Sequence, residues 1–412
     1  MKKNSGWLAT VHYGWFIVAA GLLCNFGSIG IGRFALGMLL PAMATGLDLS
    51  YAQMGYISTF NFVGYLVSVL ACGPLVKRFG FRNLIFFALI LVGVTMGLVF
   101  FVKDFLTVLV LYTLTGVGTG MSNVPIMALV PAWFKSSLRG RAAGFIVVGS
   151  GVAILLSGWL IPFLNSLVLT DGWRVSWLVL GVIVFFIAFI CRLVLRDSPE
   201  EVGLTALGSE KIERERVRAV QEDGPEPLGK AEILHVGALY YLFGFSYVIY
   251  ATFLVTSLVQ ERGFSEVYAG RLWSLVGLLS LVSGPVFGAF SDRFGRKAGL
   301  MTVFGLQTVA YLLVALNLTE TSLYLSIFCY GIVAWSIPSI MTALIGDRVG
   351  PDETARIFGI ITFIFAIGQI AGPAMAGHLA ETSGSFSGSF LVASACTAAG
   401  VIGAFFLRKE RR

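Results

Sequence analysis

The stretch Gly288-Ala-Phe-Ser-Asp-Arg-Phe-Gly-Arg-Lys297 has a counterpart 215 residues earlier, Gly73-Pro-Leu-Val-Lys-Arg-Phe-Gly-Phe-Arg82. Both are short basic stretches between long apolar segments. The same offset maps other pairs onto one another, namely Ser50 onto Ser265, Gly55 onto Gly270, Gly116 onto Gly331, Arg141 onto Arg356 and Gly144 onto Gly359. A single offset that holds across half of the chain predicts two halves with the same topology.

The composition places those halves in a membrane. The chain has 412 residues, of which 57% are hydrophobic and 12% are charged, and its mean hydropathy is +0.86. A soluble globular protein carries about 25% charged residues. We therefore predict an all-α, polytopic membrane protein. The five cysteines form no CxxC pair and lie in or beside apolar segments, which is typical of packing residues and not of a metal site.

Twelve apolar segments are long enough to span a bilayer. They cover approximately residues 13–44, 51–76, 83–102, 105–131, 141–165, 173–195, 232–258, 266–290, 298–317, 321–345, 355–379 and 387–407. We expect one six-helix half in residues 1–195 and a second in residues 232–412. The charged stretch 196–231 between them is expected to be a solvated linker, in which a short surface helix over 209–221 is an alternative. Parallel repeats of six helices are a transporter architecture, with the substrate site near the midplane.

The distribution of basic residues predicts the orientation. With the N-terminus inside, the inner loops and chain ends hold 24 of the 29 Lys and Arg residues, and Lys103, Arg174, Arg262 and Arg271 lie outside. This asymmetry predicts that both termini and the linker are cytoplasmic. Because the basic residues are spread over every inner loop, we expect no nucleic-acid partner.

Arg33 is the one basic residue in the middle of an apolar segment. It lies about a dozen residues, or about 18 Å, from the polar stretch 45–50, and hence near the middle of a hydrocarbon core about 30 Å thick. A charge at that depth is costly and marks a functional site by default. The apolar segments offer no Asp or Glu to pair with it, so Arg33 is a candidate to bind an anion. The alternative is that it bonds to carbonyls and amides and only holds helices together.

Polar and amphipathic side chains at similar depth are further candidates for substrate contact. Each could instead form an interhelical hydrogen bond, since a buried amide or phenol in lipid needs a partner. These candidates are Asn25, Asn61, Asn123, Tyr247, Tyr250, Trp335 and Gln369. The glycines around Arg33, such as Gly30 and Gly37, either leave room for a ligand or allow helices to approach closely.

The chain resembles the major facilitator superfamily over its whole length. Residues 288–297 match the superfamily's loop signature G-x-x-x-D-R-x-G-R-K, and GRFALGMLLPAM at 32–43 is similar to the YbfB-type bacterial branch. A shorter similarity, in residues 12–15, is to the monocarboxylate and oxalate/formate branch. The resemblance implies transport by alternating access, and its bacterial branch implies a bacterial inner membrane. Two departures are Lys77, where the signature has Asp, and Tyr112, where the fourth helix of many members carries an arginine that in some relatives belongs to proton coupling.

The loop residues suggest a set of charges that controls opening towards the cytoplasm. We expect Asp292 to cap the fifth helix near Arg141, since an acid favours a helix N-terminus and pairs with arginine. In the first half, Lys77 stands where the signature has Asp. We therefore expect ion pairs of reversed polarity, with the basic member in the first half and the acidic member in the loop before the eleventh helix. The basic members would be Lys77, Arg78 and Arg82, and the acidic members Asp347, Asp352 and Glu353. The alternative is that these loops are merely solvated. The remaining candidates for this role are Arg293, Arg296 and Arg356.

The sequence therefore predicts a secondary transporter for a small organic anion, a monocarboxylate in the first instance. It contains no phosphate loop, zinc spacing or nucleophile elbow, so we expect no enzyme activity, cofactor or metal. Two alternatives stay open: an exporter of hydrophobic drugs or metabolites, and a non-transporting sensor or scaffold. We expect a monomer in the lipid bilayer, with a coupling proton or a counter-anion as further candidate partners.

Overall fold

A computed structural model describes residues 11–168, 171–208, 229–349 and 351–407 of the chain. Within these residues, twelve helices are long and apolar enough to cross a membrane. They are α1 Gly14–Leu47, α2 Tyr51–Phe79, α3 Phe81–Phe101, α4 Phe105–Trp133, α5 Ser136–Leu167, α6 Gly172–Val194, α7 Lys230–Glu261, α8 Glu266–Phe294, α9 Arg296–Leu316, α10 Glu320–Gly346, α11 Pro351–Ser383 and α12 Ser387–Phe405. The prediction of twelve membrane-spanning helices is confirmed.

The sequence repeat reappears as repeated local structure. Ser50 caps the start of α2 by accepting a hydrogen bond from the Gln53 backbone N–H at 3.3 Å. Ser265, at the equivalent position, caps α8 by accepting one from the Tyr268 N–H at 3.2 Å. A side-chain oxygen at this position satisfies a backbone donor that the helix itself leaves unpaired. The offset of 215 residues therefore marks equivalent helix starts.

Two helices are irregular at the depth of the midplane. In α1, residues Phe26–Phe34 form a π-helix between two α-helical parts. In α10, the α-helix stops at Gly331 and starts again at Ser336, with turns between them. Irregular backbone at membrane depth is tolerated where it is buried in protein or lines a cavity, and π segments are frequent at functional sites. Both irregular segments are therefore candidates to line a site.

The two ends of the bundle differ in packing. We call the end that carries the loops 80–81, 134–135 and 295–296 the linker end, and the opposite end, with the loops 48–50, 102–104 and 262–265, the far end. Towards the far end the halves touch closely, as α5 meets α8 and α2 meets α11. A Cβ built on Gly158 would lie 2.3 Å from the Gly270 carbonyl oxygen, and one built on Gly55 would lie 2.5 Å from that of Pro373. Only glycine permits such approach.

The linker end lacks this packing between the halves. A Cβ on Gly73, Gly144, Gly288 or Gly359 would meet nothing within 4 Å. These glycines form two equivalent pairs of the repeat, Gly73 with Gly288 and Gly144 with Gly359. The equivalent parts of the helices therefore lack packing in both halves. The structure is therefore closed at the far end and open at the linker end.

The first part of the predicted linker is hydrogen-bonded to the first half, although several of its residues are exposed. The Leu207 N–H donates to the Trp133 carbonyl at 3.0 Å, and the Lys135 N–H donates to the Leu207 carbonyl at 2.9 Å. Asp197 accepts hydrogen bonds from the backbone N–H groups of Phe81 and Arg82, at 3.2 and 2.7 Å. Residues 196–208 thus belong structurally with the first half. The predicted surface helix over 209–221 lies outside the described residues.

Candidate functional site

The π-helix of α1 is shaped by its glycines. The segment FGSIGIGRF contains three glycines, which have low α-helical propensity. A Cβ on Gly30 would lie 2.2 Å from the Ala153 Cβ, and one on Gly37, in the next turns, 2.5 Å from the Ala251 carbonyl oxygen. Of the two roles expected for these glycines, the structure shows close helix approach. The Tyr112 hydroxyl donates to the Arg33 carbonyl at 3.0 Å, so the residue at the superfamily's arginine position supports this irregular backbone.

Arg33 stands at the end of this segment and is 8% exposed. Its guanidinium carbon lies over the rings of Phe62 and Tyr65, at 4.5 and 4.3 Å from their centroids. Such cation–π contacts stabilise a desolvated cation by about 2 kcal/mol. They do not satisfy the N–H groups, which point along the plane of the guanidinium.

The Arg33 nitrogens Nε and Nη2 are buried and have no hydrogen-bond partner within the described part of the chain. No carboxylate of these residues lies within ion-pair range of Arg33 either. Nε and Nη2 form one edge of the guanidinium, and this edge can donate two parallel hydrogen bonds to the two oxygens of a carboxylate. A buried charge without a hydrogen-bonding counterpart is costly, so this edge is suited to an anion.

Side chains of the second half face the same place. Tyr247 lies in electrostatic contact with Arg33 and accepts a hydrogen bond from the Gln369 side-chain amide. The Trp335 ring packs edge-on to Tyr247, with centroids 6.1 Å apart, and against Phe34, with centroids 5.0 Å apart. These contacts connect α1 of the first half with α7, α10 and α11 of the second.

From the first half, Asn123 of α4 completes the arrangement. Its side-chain amide donates to the Tyr65 hydroxyl at 3.2 Å. We call the six polar side chains that come together here the central cluster: Arg33, Tyr65, Asn123, Tyr247, Trp335 and Gln369. Five of these six are predicted candidates.

The structure does not bring three other candidates to the central cluster. The Asn25 amide donates to the carbonyls of Ile146 and Val147, at 3.1 and 3.3 Å. The Asn61 amide donates to the Tyr112 carbonyl at 3.0 Å. The Tyr250 hydroxyl bonds to Ser326 at 3.0 Å. All three are buried within their own half, where they form the interhelical hydrogen bonds given above as the alternative to substrate contact.

Sequence reasoning missed the aromatic residues that support Arg33. Tyr65 shares a face of α2 with Asn61, but Asn61 turns out to pack against α4 while Phe62 and Tyr65 meet the guanidinium. Phe34 and Phe365 were also absent from the candidates. Phe365 stacks on Tyr240 with ring centroids 4.2 Å apart. An aromatic pair three residues apart on a helix that faces a buried arginine is the signal that could have found Phe62 and Tyr65.

At the linker end, several predicted opening-control residues bond within their own half. Arg296 binds both Asp292 and Asp347, with 2.7 Å between its Nε and the Asp347 carboxylate. Arg356 pairs with Glu353 at 3.4 Å, and the Arg82 side chain donates to the Arg192 carbonyl at 2.7 Å. In this state Asp292 therefore bonds to Arg296, whereas we expected it near the start of α5.

The other members of that set are mostly exposed. Arg78 lies over the Phe79 ring and Arg293 over the Phe294 ring, at 5.3 and 5.5 Å from the ring centroids. Lys77 and Arg141 are exposed, and the Asp352 side chain lies outside the described residues. Among the described side chains, no ion pair joins the two halves at the linker end. Since that end is open, the pairing between halves stays a prediction for the state in which it closes.

The bundle thus has the features of a membrane carrier: two repeated six-helix halves, a buried polar cluster between them, and one open end. A model of the Major Facilitator Superfamily matches residues 22–363 and 238–412. The chain belongs to this superfamily.

Relatives of known description agree with this membership. The chain is 24% identical over 395 residues to a hexuronate transporter of Bacillus subtilis, covering 92% of this chain and 90% of the relative. It is 26% identical over 409 residues to human monocarboxylate transporter 11, covering 94% and 81%. Among solved structures, a bacterial homologue of the human lysosomal transporter Spinster has a TM-score of 0.73 at 15% identity, covering 95% of this chain and 96% of that one. These likenesses support the twelve-helix facilitator fold.

Proposed function

We propose that this protein is a secondary transporter that moves a small organic anion, in the first instance a monocarboxylate, across the membrane by alternating access. The observation that carries the proposal is the buried Nε/Nη2 edge of Arg33, which has no hydrogen-bond partner among the described residues. It lies between the two halves, where a substrate would contact both. A carboxylate would accept two charge-assisted hydrogen bonds from this edge and neutralise the charge.

The names of the relatives support an anionic substrate. The hexuronate transporter and monocarboxylate transporter 11 are both named for carboxylates. A probable sulfoacetate transporter of Cupriavidus necator, 21% identical over 408 residues, is also named for an organic anion. The names differ in the size and hydroxylation of the acid, and they share the negative group. Arg33 would serve that shared group.

We further propose that the linker end faces the cytoplasm of a bacterial cell and that the protein resides in the inner membrane. The excess of Lys and Arg at this end supports the orientation. The described conformation would then be open to the cytoplasm. Because no carboxylate in the described part of the chain pairs with Arg33, a coupled proton would travel with the substrate or through a non-carboxylate group, and exchange for a counter-anion is the other coupling we consider.

The test is uptake of radiolabelled lactate and other small monocarboxylates into proteoliposomes, with purified wild-type protein and two variants. Arg33→Ala removes both hydrogen bonds and the charge, so we expect transport to fall at least about 100-fold. Arg33→Lys keeps the charge but loses the planar edge, so we expect a loss of about tenfold.

Arg271→Ala is the matched control, since Arg271 is an exposed arginine on α8 outside the central cluster. It should transport like the wild type. The thermal midpoint of each variant shows whether it is folded. Wild-type rates in folded Arg33→Ala would refute the anion site.

A further inference from the structure

We propose that Trp335, at the break in α10, is the second arm of the substrate site and selects carboxylates that also carry a hydroxyl group. This inference rests on the proposed function and adds the class of acid to it. Trp335 comes from the second half, whereas Arg33 comes from the first. A substrate held by both would bridge the halves.

The first step is the position of the indole. Trp335 is the residue before the second helical part of α10, Ser336–Gly346, and its backbone N–H donates to the Ser283 hydroxyl at 3.2 Å. The Ser336 hydroxyl also donates to the Ser283 carbonyl at 3.0 Å. These two bonds fix the broken segment to α8. The ring is therefore held against Tyr247 and Phe34 by a supported backbone and not by a mobile loop.

The second step is the set of donors. The Trp335 Nε1 is buried and, like the Arg33 edge, has no partner among the described residues. The hydroxyls of Tyr65 and Tyr247 each accept a hydrogen bond from an amide, so each keeps its own hydrogen for donation. The four side chains that carry these donors come from both halves and lie in contact with one another, Arg33 with Tyr65 and Tyr247, and Tyr247 with Trp335. The Arg33 edge alone can bind both oxygens of a carboxylate. The other donors are therefore left for a second group of the substrate.

The third step is the set of acceptors. In the described part of the chain, the bonds found for the Asn123 and Gln369 side chains use their nitrogens. Their amide oxygens can therefore accept from a ligand. A hydroxyl group both donates and accepts, so it matches a place where an indole N–H, phenol hydrogens and amide oxygens meet. An alkyl chain in the same place would leave these buried groups unpaired.

The test compares two pairs of acids that have equal chain length: propionate with lactate, and hexanoate with gluconate. Each acid competes with radiolabelled lactate, the probe of the uptake test, for binding to the full-length protein in detergent. Sites built to bond a hydroxyl reject analogues that lack it. We expect the hydroxylated acid to compete at least about tenfold better in at least one pair, and Trp335→Phe to remove most of that preference. Binding of the unsubstituted acid should change less than about twofold.

Trp273→Phe is the matched control. Trp273 also has a buried indole N–H for which the described residues offer no partner, but it lies in α8 outside the central cluster, so the preference should persist. The proposal is overturned if neither hydroxylated acid competes better, or if Trp335→Phe weakens both members of a pair equally. In those cases Arg33-dependent binding of the carboxylate would still support the anion site. Absence of any Arg33-dependent binding would overturn the proposed function itself.

Discussion

The far end and the linker end of this protein contain the same repeated helices in opposite states of contact. At the far end, Gly158 of α5 meets Gly270 of α8 backbone to backbone. At the linker end, Gly144 of the same α5 faces open space. Since one helix takes part at both ends, closing one end by a rigid rotation of the halves would open the other. Under alternating access, Gly144 would take in the second state the place between the halves that Gly158 has in this one.

Polar contacts between the halves follow the same division. Towards the far end, the Asn165 amide donates to Glu266 at 2.8 Å, the Ala52 N–H donates to Glu381 at 3.2 Å, and the Gln260 amide donates to the Pro41 carbonyl at 3.2 Å. At the linker end, the ion pairs found among the described residues stay within one half. The far end is thus closed by both packing and hydrogen bonds.

The largest expected effect comes from leucine substitutions at Gly158 and Gly144 of α5. In Gly158→Leu the new side chain must displace the α8 backbone, and overpacking of this kind costs about 1 to 3 kcal/mol, so the population should shift about 5- to 150-fold towards an open far end. In Gly144→Leu the described state is unaffected, but closure of the linker end is blocked. Labelling of introduced cysteines from each side measures the two states. We expect opposite labelling patterns, and transport reduced in both variants. The comparison fails if both substitutions expose the same end.

A smaller effect is expected at the far-end acids. Glu266→Gln and Glu381→Gln each replace a charged acceptor, which holds the halves together, by a neutral one. A hydrogen bond to a charged group contributes about 1.5 to 3 kcal/mol, and the neutral amide of glutamine retains part of this contribution. We expect each variant to open the far end about fivefold more often, as read by the same labelling. Glu320→Gln is the control, since Glu320 also lies at the far end but makes no such contact among the described residues. Equal labelling in all three variants would exclude a closing role for the acids.

The smallest effect concerns the charges at the linker end. If Lys77 pairs with Glu353 when this end closes, then Lys77→Glu should favour the described open state, and adding Glu353→Lys should restore the balance. Exposed pairs contribute at most about 1 kcal/mol, so a shift of up to about fivefold is expected. A double-mutant cycle measures the coupling. Purely additive effects of the two reversals would mean that the residues never meet.

The sequence was sufficient for the fold because its signals repeat. The twelve apolar segments, the 215-residue offset and the capping serines Ser50 and Ser265 each depend on local chemistry. Part of the site was also predictable: a lone intramembrane arginine is expensive, which made Arg33 a candidate. Which amides line the site was not predictable, because Asn25 and Asn123 look alike in sequence. Their difference depends on which helix lies opposite, Ile146 of α5 or Tyr65 of α2.

The π-helical segment of α1 could not be predicted from the sequence. Glycines in residues 27–37 indicated either space or close approach, and only the contacts with Ala153 and Ala251 decide between them. In α10, by contrast, Gly331 precedes the interruption and Pro338 follows it, and a proline cannot donate the helical hydrogen bond to the carbonyl four residues earlier, that of Ala334. The bonds to Ser283 then hold the interrupted segment in place. Packing between helices was thus the information that the sequence pattern lacked.

The most direct test of alternating access is a pair of distance measurements between spin labels on α5 and α8. One pair, at Ser166 and Val267, reports on the far end, and the other, at Gly140 and Ala289, reports on the linker end; all four positions are exposed. We predict a short far-end distance and a long linker-end distance in the otherwise unmodified protein, and the reverse when Gly158→Leu is added. Distances that vary independently at the two ends, or a linker end that stays open while the far end opens, would contradict the account.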